Sequence, residues 1–168
     1  MDDFTIRLAR AGDFDALWPM LRAVIRAGDT YALDQSLNAE AVRALWMEGP
    51  RATYIAKAGG EVLGTSYIKT NQAGGGAHVC NAGFVVAEAA RGRGVARALC
   101  DDAQVEARAM GYLAMQFNFV VETNEGAIAL WQSLGFATVG RLPRAFRHPK
   151  AGLVDALVMY KWLGAAGD

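Results

Sequence analysis

The sequence has only two cysteines, four scattered prolines and no net charge. Cys80 and Cys100 cannot build a disulfide framework, and their separation is not that of a metal clip. They are expected as reduced thiols in a cytoplasmic protein, and no metal is expected. Basic and acidic residues number 17 each, which removes overall charge as an argument for a nucleic-acid or membrane partner. No apolar run reaches the roughly 18 residues of a membrane span. The start, Met1-Asp2-Asp3-Phe4, is acidic and lacks the basic and apolar regions of a signal peptide. Repeats, linkers and low-complexity tracts are also missing. What remains is 168 residues, slightly over half of them hydrophobic, which suits one globular domain spanning 1–168 with room for a core. The last residues, 164–168, are expected to fray.

Periodicity orders the elements. Thr5 to Leu8 reads as a short strand. Phe14, Leu17, Leu21, Val24 and Ile25 then recur at helical spacing. A second helix is predicted from about Asn38 to Met47 on Val42, Leu45 and Trp46, ended by Gly49-Pro50. Residues 52–58 and 61–70 read as a hairpin about Gly59-Gly60, and His78 to Val86 as a further strand. A long helix follows from Arg93 to Met110, stopped by Gly111, with Arg97 and Asp101 paired on its outside. From Leu113 to Val121 the chain alternates: Leu113, Met115, Phe117, Phe119 and Val121 on one face, Gln116 and Asn118 on the other. Thr123 or Asn124 caps a helix to Leu134. Phe136 to Leu142 and Leu153 to Trp162 close the chain as strands around a basic loop. The class is α/β, in the order β-α-α-β-β-β-α-β-α-β-β.

The most informative stretch runs from Val85 to Leu99, where a strand leads into Arg91-Gly92-Arg93-Gly94 and then a helix. Such a turn aims free backbone N–H groups at one point, at the positive end of a helix dipole, and so makes a seat for phosphate groups. Gly92 and Gly94 let the backbone approach an anion, and Arg91, Arg93 and Arg97 add charge. The spacing is not that of a P-loop, and Arg97 stands where G-x-G-x-x-G needs its last glycine.

Arg91 to Ala96 instead reads Arg-x-x-Gly-x-Ala, which resembles the pyrophosphate motif of the GCN5-related N-acetyltransferases (GNAT). The segment Asn124 to Phe136 resembles a second motif of that family, N-x-x-A-x-x-x-Y-x-x-x-G-F. The two motifs and the element order together cover nearly the whole chain. The resemblance implies a mixed sheet of about seven strands, splayed between the fourth and fifth, with helices on both faces. It implies acetyl-CoA as cosubstrate. Phe84, Val85 and Val86 fall where a strand backbone pairs with the pantetheine arm. Arg91, Gly92, Arg93, Gly94, Val95, Ala96 and Arg97 fall where the pyrophosphate is held, and Asn124 where a side chain bonds the pantetheine. Ala87-Glu88 replaces the proline frequent in the family after the fourth strand. Trp131 stands where the family often has a tyrosine that protonates the leaving thiolate. Tryptophan cannot supply that proton, so Trp131 is expected to pack in a helical stripe with Ala127, Leu130 and Leu134 and to line the cofactor channel.

On the acceptor side no strong base stands on the central strands. Asn81 and Asn118 are polar amides in apolar strands, costly to bury without partners. They are candidate substrate contacts, or else bridge the strand gap. Asn118 is also a candidate donor to the carbonyl oxygen as it becomes an oxyanion, and Asn124, six residues on, is a further candidate. Glu122 is a candidate acceptor of the amine's proton, or a strand-end ion pair. Tyr31 lies in the loop between the first two helices, which covers the acceptor site in this family, and is a candidate substrate contact or lid aromatic. His78 alternates away from Asn81. Arg141, Arg144, Arg147, His148 and Lys150 form a basic run that could attract a carboxylate. The segments 116–124 and 130–136 are similar to a narrower branch, the fungal acetyltransferases of azetidine-2-carboxylate and related proline analogues. These features point to N-acetylation of a small-molecule amine, a small amino acid or an analogue, by direct attack on the thioester. The alternatives are a protein or peptide N-acetyltransferase and a non-catalytic acetyl-CoA sensor. The family resemblance also suggests a homodimer.

Overall fold

The computed structural model describes residues 4–164. Seven strands form one sheet in the order β1-β2-β3-β4-β5-β7-β6. They are β1 (Thr5–Leu8), β2 (Ala52–Ala58), β3 (Glu61–Thr70), β4 (Val79–Val86), β5 (Ala114–Val121), β6 (Ala137–His148) and β7 (Gly152–Trp162). Every neighbouring pair is antiparallel except β4 and β5. Four helices are added: α1 (Phe14–Ala27), α2 (Ala39–Arg43), α3 (Val95–Ala109) and α4 (Glu125–Ser133).

The helices cover both faces because their apolar stripes match different strand residues. On one face, Phe14, Leu17, Leu21 and Ile25 of α1 pack with Val42 and Trp46 against Ile55 and Val85. On the other, Cys100, Ala103 and Ala107 of α3 and Trp131 of α4 pack against Ile68, Cys80, Met115 and Phe117. Small alanines along α3 let it approach the sheet closely, and burial of these stripes is the main term holding the layers together.

The β4–β5 pairing is short. It spans Val79↔Ala114, Cys80↔Met115 and Asn81↔Gln116 and then stops, so the strands part beyond Asn81. This is the expected splay, and it lies directly ahead of the arginine–glycine turn.

Four local expectations are corrected. The second helix is regular only to Arg43; residues 44–48 wind more widely, with the Gly49 N–H reaching back to the Ala44 C=O. That wider turn presents Trp46 to the core, where its indole N–H meets the Thr65 hydroxyl, and leaves Leu45 outside. The alternation of β5 does not persist: a bulge between Phe117 and Val120 reverses its phase. Val120 therefore shares the Phe117 core, while Phe119 and Val121 pack with Phe146 and Val154. The basic loop is mostly strand, since β6 continues through Arg141, Arg144 and Arg147, pairing with β7 around its own bulge. Arg97 donates to the Ser133 hydroxyl, not to Asp101. Of the tail expected to fray, Gly164 is tied to the Leu113 C=O, and 165–168 lie outside the described residues.

Candidate active site

A cleft of about 960 Å³ runs through the opening between β4 and β5. Its walls include the arginine–glycine turn at one end and residues 29–33 with Tyr67, Lys69 and His148 among the rest.

The turn end is built by conformation. Gly92 and Gly94 have φ of 76° and 79°, a left-handed backbone that a Cβ would strain. Nothing lies within 4 Å of where their Cβ atoms would be, so the glycines are there for backbone shape, not for packing. Gly94 precedes α3, whose first N–H groups at Val95, Ala96 and Arg97 have no carbonyl of the helix to reach. These residues line the cleft with Arg91, Gly92 and Gly94. Arg93 is outside the lining.

The middle of the cleft has an aromatic floor. Trp131 is buried and lies 5.0 Å from the Phe84 ring and 5.1 Å from Phe117, and Phe117 stacks on Phe136 at 4.3 Å. Phe84 and Val86 turn their backbone polar groups toward the gap. Val85 is different: its C=O points at β3, close to Gly64, and its side chain is buried against α1. The Phe84 N–H and C=O are both engaged by one hydroxyl, that of Tyr31, at 3.0 and 2.8 Å.

The acceptor end gathers Tyr31, Tyr67, Asn81 and Asn118. Tyr67 lies over Gly83, where a Cβ would stand 2.4 Å from the ring. Tyr67 and Gly83 were not anticipated; a glycine inside a strand is the usual mark of such a close approach. Asn81 is buried and bridges the parting strands, donating to the Gln116 C=O at 3.0 Å and facing the Tyr67 hydroxyl at 3.4 Å. Asn118 is exposed on the cleft wall. One of its N–H groups reaches Asn71 at 2.7 Å, and its oxygen accepts from Gln116 at 2.8 Å. An amide carries two N–H groups, so Asn118 keeps a second one. Asn124 caps α4, accepting from the Ala127 N–H. His148 lines the cleft too; its Nδ1 accepts from the Lys150 and Ala151 N–H groups.

Glu122 is not at the cleft. Its carboxylate holds Arg141 at 2.6 Å and the Asp155 N–H at 3.2 Å, and Arg141 also bonds Asp155. Val121 and Thr123, on either side of Glu122, line the cleft, while the Glu122 side chain turns to Arg141 and the Asp155 N–H. His78, as expected, lies elsewhere, beside Trp162.

Fold and cleft together give a single sheet that parts at its centre, with the N–H groups of the arginine–glycine turn at one end of the opening and a pocket lined by residues 29–33 at the other. The chain belongs to the acetyltransferase (GNAT) family, whose profile matches residues 18–136. It is 48% identical to a GCN5-related N-acetyltransferase from Kribbella flavida, with a TM-score of 0.90 over 95% of this chain and 97% of that one. It is 37% identical over 98 residues to the N-acetyltransferase aca1 of Schizosaccharomyces pombe. That match takes in 58% of this chain and 47% of the relative, so the chain spans about half the length of the curated relative it matches. The fold is also that of a phosphinothricin acetyltransferase from Sinorhizobium meliloti in complex with AcCoA, at 21% identity and a TM-score of 0.84 over 98% of this chain and 90% of that one.

Proposed function

We propose that this N-acetyltransferase takes its acetyl group from acetyl-CoA and gives it to the amine of a small molecule, a small amino acid or an analogue of one. The observation that carries this reading is the continuity of one cleft from the anion seat, past the part of β4 that has left β5, to an end lined by residues 29–33. A pyrophosphate suits the turn N–H groups, with Arg91 and Arg97 as counter-charges. An amide-bearing arm suits the Phe84 and Val86 backbone, because parted strands leave polar groups that need partners. Acetyl-CoA supplies the activated acyl group as a thioester.

The amine arrives neutral and attacks the carbonyl carbon. The C–N bond forms, the C–S bond breaks, the amine's proton passes to water, and the thiolate leaves and is protonated. The free N–H of Asn118 is the candidate donor to the developing oxyanion, and Asn124, also on the cleft wall, is a second candidate. Trp131 contributes shape and dryness, not a proton. With Glu122 held by Arg141, water is the base that serves the amine.

The experiment is thiol release on mixing with acetyl-CoA and a panel of amines: free amino acids and cyclic imino acids, peptides with free N-termini, and lysine peptides. The expected result is turnover with free amino acids or imino acids. Turnover with peptides alone would replace the small-molecule reading by the protein-acetylating one.

A further inference from the structure

Tyr31 stands where the sheet is incomplete. Pairing between β4 and β5 ends at Asn81 and Gln116, and Phe84 turns its N–H and C=O into the gap. One hydroxyl meets both groups, accepting from the N–H and donating to the C=O. One donor and one acceptor is what an amide would offer there. The ring is held edge-on to Trp46 at 5.9 Å, and Trp46 is in turn edge-on to Tyr67 at 4.8 Å. The segment carrying Tyr31 has a firm start and finish. Gly28 is left-handed with the Gln35 side chain packed where its Cβ would be, and Asp34 holds the Ser36 N–H and hydroxyl. Burial pushes the Tyr31 hydroxyl above the ordinary tyrosine value, so it keeps the proton it donates.

We propose that Tyr31 is a built-in occupant of the amide seat on β4, and that acetyl-CoA binds by displacing its hydroxyl, which frees residues 29–33 from the acceptor end of the cleft. This rests on acetyl-CoA being the donor. The pantetheine arm carries amides, each with one N–H and one C=O, the same pair of functions that Tyr31 offers. Two such ligands cannot hold Phe84 together. Tyr31 therefore lowers the affinity for acetyl-CoA while it satisfies the opened strand in the cofactor-free protein. The segment it releases is part of the wall of the acceptor end.

The test is calorimetry of acetyl-CoA binding to the wild-type protein and to Tyr31→Phe, with hydrogen exchange of residues 28–34 in the wild type with and without acetyl-CoA. Phenylalanine keeps the ring against Trp46 and removes only the competing hydroxyl. Tyr31→Phe is expected to bind about three- to tenfold tighter, the equivalent of roughly one neutral hydrogen bond. Residues 28–34 are expected to exchange faster once acetyl-CoA is bound. Equal or weaker binding by the variant, or slower exchange of that segment on binding, overturns the inference. Should the variant fail to fold by circular dichroism, the wild-type exchange decides alone. A wild-type protein that binds no acetyl-CoA overturns the donor reading and this inference with it, a failure distinct from the other two.

Discussion

At the scale of single residues, Trp131 is explained by its neighbours. It sits among Phe84, Phe117 and Phe136 as the floor of the opening, so its size matters more than its chemistry. Trp131→Phe should retain most of the turnover. Trp131→Ala should lose about 3–5 kcal/mol of stability through the hole it leaves. Melting temperature and kcat measured on both variants check this, and loss of turnover in a Phe variant of unchanged stability would give the indole a direct role. Gly83 carries the opposite lesson, since a single methyl there meets the Tyr67 ring at 2.4 Å. Gly83→Ala should cost about 1–3 kcal/mol by overpacking and should disturb Tyr67, read as a fall in melting temperature with a raised KM for the acceptor. Asn118→Ala should depress kcat by roughly 10²–10³ if its free N–H meets the oxyanion, with acetyl-CoA affinity little changed. Near-normal kcat would leave Asn118 as a structural link between Asn71 and Gln116.

At the scale of elements, the turn before α3 is the sharpest feature. Gly94→Glu forces a side chain onto left-handed backbone and brings a carboxylate to the anion seat. A folded Gly94→Glu protein should show no measurable acetyl-CoA binding by calorimetry. This turn was readable because glycine spacing, arginines and a strand-to-helix change coincide in seven residues. The hairpin at Gly59-Gly60 and the stripe of α1 were readable for the same reason: local geometry and burial ask for the same residues. Where the two separate, periodicity misleads. The β5 bulge reverses a clean alternation, because pairing with β7, far along the chain, sets the phase beyond Phe117. The arginines of β6 look like a loop because this edge strand is exposed along most of its length and so carries few apolar residues. For Glu122 the strand-end ion pair is the alternative observed, with Arg141. The contact of Tyr31 with Phe84 spans 53 residues of sequence, and no local pattern encodes it.

At the scale of the whole molecule, charge and sulfur make further predictions. The Arg7 guanidinium, with the Arg10 N–H, holds the Asp13 carboxyl well below the usual carboxylate range. A carboxyl so depressed stabilises the fold above its unfolded pKa of about 3.9 and loses that contribution as pH falls below it. The difference in melting temperature between wild type and Asp13→Asn should therefore be largest near neutrality and should shrink as the pH is lowered below about 4. Burial pushes the Cys80 and Cys100 thiols up to about 12, and neither side chain is exposed. The native protein should be silent to an aromatic disulfide reagent, and two thiols should appear on denaturation. The short β4–β5 junction has a mechanical meaning as well. The backbone ladder between the four-stranded half and the three-stranded half has only three register pairs, helped by the Asn81 bridge to the Gln116 C=O. The sheet thus has a seam, and a ligand lying along it works as a staple. The shared core under α3 still holds the halves together without it, and the molecule's resistance to unfolding becomes a gauge of how much acetyl donor surrounds it.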